Sequence, residues 1–187
     1  MGGGQEYYGP TADRDKQVVL LLASNLQKIA VEDYGIQIQV ITGGTAGVPD
    51  DFASHYRGNV LDVVSEEYVE AYKERTQHQH HRTYWVAGAT QEQRRLAFAT
   101  NPDIALALFI QGGQYTTHEI KIFMEKKKPI ILFWGSGGAS GGAIPYQGWS
   151  APMPQQPCDV TMSTDPAEDA QTIALALMHK ILNILIR

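Results

Sequence analysis

The stretch QGGQYTTHE, residues 111–119, gathers two glycines, two threonines and a glutamate where an apolar strand gives way to a helix. Gly112 and Gly113 would let backbone N–H groups face an anion, and the N-terminal end of a helix dipole favours negative charge at the same point. Thr116 and Thr117 offer hydroxyl donors. Glu119, one turn into the helix, is placed to work as an acid or base or to hold a ribose hydroxyl. Upstream, QEQRRLAFATN carries Arg94 and Arg95, either of which could pair a phosphate through two parallel hydrogen bonds. A second glycine turn, TGGTAG, contributes Gly43, Gly44 and Gly47. The plainer reading of the first stretch stands beside this one: Thr116-x-x-Glu119 is also a capping box, which needs no ligand.

Other clusters carry weaker chemistry. Pro49 fits a first helical position, and Asp50 and Asp51 then fall in a first turn, where they complement the dipole. They also occupy the place of a phosphate, so Gly43, Gly44 and Gly47 are expected to shape a cleft rather than grip the anion. Contact of Asp50 and Asp51 with ligand hydroxyls or a metal is the alternative. His78, His80 and His81 in QHQHHR suggest a metal by type, but the segment is polar, and a solvated loop with no metal is the expectation. Lys126, Lys127 and Lys128 read as the solvated end of a helix. GSGGASGGAIPYQGW lacks the lysine of a phosphate-binding Walker loop and reads as a rim whose Tyr146 or Trp149 could stack on a base.

These residues need elements to hold them, and the chain supplies an alternating pattern. Residues 11–34 read as a helix ended by Gly35, followed by the strand IQIQVIT with strict alternation. A glycine turn and short helix lead to the strand NVLDVVS. Residues 66–89 are polar and read as loop with some helix. TQEQRRLAFATN is a helix with Thr90 as its N-cap. DIALALFI and PIILFWG are apolar throughout, as strands buried on both faces should be, and are expected to be central. Between them lies the helix TTHEIKIFMEKKK. CDVTMST reads as a short strand, and a long helix capped by Asp165, with Pro166 at its first position, closes the chain. The expected fold is α/β: a Rossmann-like three-layer sandwich with a mainly parallel sheet. The opening GGGQEYYGP looks like the glycine loop that normally follows a first strand, so that strand is expected to be missing; a disordered tail is the alternative.

Composition bounds the function. At 187 residues the chain suits one domain, 1–187, with a real core. The net charge of −5 argues against non-specific nucleic-acid binding, which needs a basic face. One cysteine, Cys158, excludes an intrachain disulfide framework and fits a reducing, cytoplasmic setting. No apolar run reaches transmembrane length and no signal peptide is evident. MGGGQE departs from a myristoylation signal at Glu6.

The motifs also carry a family resemblance. QGGQYTTHE is similar to the P-G-G-x-G-T-x-x-E motif of the lysine decarboxylase-like proteins. These include the cytokinin-activating phosphoribohydrolases called LOG and belong to the wider SLOG group of nucleotide-binding and nucleotide-sensing domains. GGTAGVPDDF resembles the family's earlier glycine turn, QEQRRLAFATNPDIALALF its arginine helix and following strand, and KKPIILFWGSGG its lysine–proline strand. The resemblance runs through roughly residues 35–135. Gly112, Gly113, Thr116 and Glu119 fall on motif positions. Gln111 replaces the motif proline, a change expected to matter little, and Tyr115 replaces a glycine. The resemblance implies a Rossmann-like fold, a homodimer and a small nucleotide-like ligand with no further cofactor. Two functions follow from it. One is binding of a nucleotide or nucleotide derivative. The other is hydrolysis of the N-glycosidic bond of a nucleoside 5′-monophosphate, with Glu119 and Arg94 or Arg95 as the catalytic groups. Tyr115 and the missing strand favour binding; a scaffold with a decayed site is the third possibility.

Overall fold

The computed structural model describes residues 11–79, 81–133, 136, 139–140 and 169–186. Helix α1, Ala12–Asn25, continues as wide π-type turns through Leu26–Asp33 and closes before Gly35, whose φ is 66°. Then follow β1 (Val40–Thr42), α2 (Val48–His55), β2 (Val60–Val64), a 3-10 turn (Glu66–Tyr68) and α3 (Val69–Thr76). The order continues with β3 (Arg82–Val86), α4 (Gln91–Thr100), β4 (Ala107–Phe109), α5 (Gln114–Glu125), β5 (Ile130–Leu132) and α6 (Ala170–Leu185).

Among the described residues every strand pairing is parallel. β1, β2 and β3 form one ladder with Val40 opposite Val60 and Val60 opposite Arg82; β4 and β5 form another with Ala107 opposite Ile130. The pleat sends alternate residues to opposite faces. Val40, Leu108 and Ile131 join α1, α2 and α6 in one core, while Ile41, Ala107, Phe109, Ile130 and Leu132 join α4 and α5 in the other. The two ladders therefore share one middle layer, with helices above and below it.

The apolar stretches behave as their patterns require, but the strands are shorter than the patterns. IQIQVIT is strand only at Val40–Thr42 and DIALALFI only at Ala107–Phe109, and among the described residues of PIILFWG the strand is Ile130–Leu132. The polar stretch 66–89 needs correction: it holds α3 and the strand β3. Thr83 to Val86 are exposed, so β3 has no buried alternation to betray it, although RTYWV is rich in residues that favour strands. The last helix is capped by Asp169, whose carboxylate accepts from Gln171 N at 3.2 Å. Asp165, Pro166, CDVTMST with Cys158, the rim with Tyr146 and Trp149, His80 and the opening GGGQEYYGP lie outside the described residues.

The lysine run also differs from a simple solvated end. Lys127 takes φ 54°, its N–H donates to Met124 O at 2.9 Å, and Lys128 N donates to Phe123 O at 3.1 Å. That is a Schellman closure with lysine where glycine is usual. Lys128 Nζ then donates to Asn101 O, and burial lowers its pKa from the ordinary lysine value.

Candidate functional site

Helix α4 begins at a true capping box. Thr90 Oγ1 accepts from Gln93 N at 3.3 Å, while the Gln93 side chain accepts from Thr90 N at 3.4 Å. This fixes Arg94 and Arg95 one turn into the helix, and both are buried. Helix α5 starts differently. Gln111 and Gly112 take positive φ, 58° and 95°, which swings the chain off β4 so that Gly113 becomes the N-cap without any side-chain cap bond. Thr116 is therefore the third residue of α5 rather than its cap. The capping-box reading of Thr116 and Glu119 does not hold, because the helix begins three residues early. Gly112 is required by space as well as by angle: a Cβ there would lie 2.4 Å from Thr116 Oγ1. Thr117 is buried on the inner side of α5.

The two helices meet through charge. Arg94 Nη2 donates to Glu119 Oε1 at 2.9 Å, Arg94 Nε to Gln91 Oε1 at 2.9 Å, and Arg94 Nη1 to Gly43 O at 3.4 Å. Gly43 sits close enough that a Cβ on it would lie 2.7 Å from Arg94 Nη1. Arg94 is thus a hub joining α4, α5 and the turn after β1. Gln91, which aims it, was not foreseen, although its i, i+3 spacing from Arg94 puts the two on one helix face.

Arg95 is placed otherwise. Its Cζ lies over the Tyr115 ring, 3.9 Å from the centroid. Only 7% of the residue is exposed, and its Nε is buried without a hydrogen-bond partner among the described residues. Burial lowers its pKa from the ordinary arginine value, and the charge of nearby Glu119 works against that shift. Gly43, Arg94, Arg95, Tyr115 and Glu119 are therefore brought together, with Gly112, Gly113 and Thr116 at the turn beside them.

Gly44 and Gly47 belong to a different arrangement. Asp62, fully buried in β2, accepts from Thr42 Oγ1, from Tyr72 OH at 2.8 Å and from Arg82 Nε at 2.7 Å. Thr42 Oγ1 in turn accepts from Gly44 N at 2.9 Å, and Arg75 Nη2 donates to Gly44 O. Gly44, at φ 61°, leaves no room for a side chain, since a Cβ would lie 2.7 Å from Val64 Cγ1. Gly47 is the N-cap of α2, whose second residue is Pro49. Asp50 lies in the first turn and pairs with Arg82 Nη1 at 2.5 Å and Arg75 Nε at 3.5 Å. Burial opposes the charge of Arg82, yet Asp62 and Asp50 together raise its pKa above the ordinary value. So the acids of this turn hold arginines and the turn itself.

The α5 turn has its own clasp. Gln111, expected to matter little, is fully buried: its Nε2 donates to Asp15 Oδ2 on α1, and its N donates to Ser136 Oγ at 3.0 Å. Its carbonyl accepts from Ser140 N at 3.1 Å and Ser140 Oγ at 3.0 Å. Asp15 also accepts from Thr11 Oγ1 at 2.8 Å and Arg14 Nη2 at 2.9 Å.

His81 Nε2 lies 2.8 Å from Ala53 O, and among the described residues no group of three metal-ligating side chains occurs. Two open surface hollows lie elsewhere, one beside Trp85 and Pro102, the other between Tyr34 and Leu182. Neither borders Arg95 or Glu119, so the candidate site is a convergence of side chains and not one of these hollows. Among the described residues no helix is long and apolar enough to cross a membrane.

No family model matches the chain, and no curated protein does. The chain is similar in structure to one solved as the X-ray structure of TM1055, a Northeast Structural Genomics Consortium target. The TM-score is 0.52 at 21% identity, covering 72% of this chain and 74% of that one. At that identity the likeness speaks to architecture: the chain is an α/β protein with a Rossmann-like, three-layer fold.

Proposed function

We propose that the chain binds a nucleotide or nucleotide derivative, as the LOG-like and SLOG proteins resembled by its motifs do. The anionic group would sit at Arg95 beside the turn into α5. The observation that carries this reading is the contrast between the two arginines. Arg94 is engaged through Nε, Nη1 and Nη2, whereas Arg95 is buried and its Nε has no hydrogen-bond partner among the described residues. A buried guanidinium with no hydrogen-bonded anion is costly even with the charge of Glu119 nearby, and a phosphate matches its planar edge with two parallel bonds. Calorimetry with adenosine 5′-monophosphate and adenosine tests it. Arg95→Ala should weaken the monophosphate roughly ten- to a hundredfold, the scale of a hydrogen bond to a charged group, and leave adenosine unchanged. A wild type that binds no nucleoside monophosphate would end the reading.

A second reading, hydrolysis of the N-glycosidic bond of a nucleoside 5′-monophosphate, is favoured by Glu119. Its carboxylate is not used in capping but faces Arg94 at 2.9 Å, inside the same cluster. Glu119→Gln keeps a hydrogen-bond acceptor for Arg94. If Glu119 acts on substrate, that variant should retain nucleotide affinity while base release falls about a hundredfold.

A further inference from the structure

Tyr115 stands where the resembled motif has glycine, and the structure gives the ring a specific place. It is the second residue of α5, in the turn that follows Gly112 and Gly113. Arg95 Cζ lies over the ring at 3.9 Å from its centroid, yet half of the residue, 50%, is exposed. The ring is thus covered on the Arg95 side, while half of the residue remains open to solvent. A guanidinium stacked on an aromatic face keeps its N–H donors in its own plane, so this contact orients Arg95 without using up its edge. Arg95 Nε is the independent sign of a ligand: a buried donor with no partner, on a residue only 7% exposed.

We infer that Tyr115 is the specificity-determining residue of this site, a stacking shelf for a planar base set beside the cation that takes the phosphate. The inference rests on the nucleotide reading above and narrows it: the ligand carries both a base and a phosphate, and a bare sugar phosphate is the poorer fit. Stacking suits the role because every base has a π face, and half of Tyr115 is open to solvent. A guanidinium on one side of the ring and a base on the other form a single stack, with the glycine turn of α5 next to it.

The test is calorimetry of wild type, Tyr115→Phe and Tyr115→Ala with adenosine 5′-monophosphate and with ribose 5-phosphate. Wild type should prefer the nucleotide by roughly tenfold or more, the usual scale of one base–aromatic stack. Tyr115→Ala should lose that preference by weakening the nucleotide alone, and Tyr115→Phe should keep it. Equal wild-type affinities for the two ligands overturn the inference, and that measurement needs no variant to fold. So does a Tyr115→Ala protein that weakens both ligands equally, which would make the ring only a support for Arg95. One that strengthens both overturns it too, because the ring would then be an obstacle. A wild type that binds neither ligand ends the nucleotide reading itself; one that binds the nucleotide through Arg95 but ignores Tyr115 ends only this inference.

Discussion

The turn after β1 and the turn after β4 are both glycine-rich, and both lead from a parallel strand into a helix, but they are held by different chemistry. Around Gly44 two carboxylates, Asp50 and Asp62, face two guanidiniums, Arg75 and Arg82. Those charges pair with one another and fix the backbone, although Arg75 Nε and Arg82 Nη2 are themselves buried without a hydrogen-bond partner among the described residues. Around Gly112 the clasp is mostly amide and hydroxyl: Gln111, Ser136 and Ser140, anchored on Asp15. Beside that second turn stands Arg95, whose Nε is buried without a hydrogen-bond partner among the described residues. The comparison teaches where to look for a ligand. Charge that is already paired builds scaffold; charge left over beside a helix N-terminus can bind.

Asp62→Ala is the most severe way to break the contrast. It removes the acceptor of Thr42, Tyr72 and Arg82 at once, and Arg82 Nη2 is already buried without a partner. Stripping one member from a buried ion pair costs about 3–5 kcal/mol, so urea denaturation should show a loss on that scale. A change no larger than a surface substitution would mean the ionic network is not what holds the first turn.

Gln111→Pro restores the residue that the motif resemblance has at this position. Proline fixes φ near −65°, whereas Gln111 sits at 58°, and its N–H is used by Ser136 at 3.0 Å. The variant should lose about 3 kcal/mol or more, the scale of a misplaced proline, with Gln111→Gly losing less because glycine takes the angle without strain. A stable Gln111→Pro protein would show that the second turn can be built as the motif has it, and the neutral clasp would lose its importance.

Tyr72→Phe is the mildest probe. It deletes one hydrogen bond to Asp62, worth about 1 kcal/mol. It also changes the response to alkali. Burial, and then the bond to Asp62, push the Tyr72 pKa up to about 12. A tyrosine in the unfolded chain titrates near 10. Stability from the protonated hydroxyl is therefore complete below pH 10 and is lost as the pH rises toward 12. Thermal melts across that window should fall more steeply for wild type than for Tyr72→Phe; parallel slopes would remove Tyr72 from the network.

Much of the frame was legible in the sequence for local reasons. DIALALFI and PIILFWG announce buried parallel strands because both faces must be apolar. Thr90 followed by Gln93 announces the start of α4 because both halves of its cap lie within one turn. Where local signals failed, something distant decided. β3 was hidden because an exposed strand owes its place to the Val60–Arg82 ladder rather than to its own pattern. Thr116 and Glu119 have capping-box spacing, but the clasp on Gln111 starts α5 earlier and frees Glu119 for Arg94.

The sequence by itself determined the alternation of helices and strands, the glycines at the two turns, and a stock of arginine, threonine and glutamate near them. Those are properties of spacing and residue type, which a chain carries in one dimension. It could not say which arginine is used up. Arg94 and Arg95 are neighbours on one helix, yet the first reaches Glu119, 25 residues away, and Gly43, 51 residues away. The second meets the ring of Tyr115. Only the tertiary structure decided between them, because a one-residue step on a helix turns a side chain by about 100° and so hands it to a different neighbour.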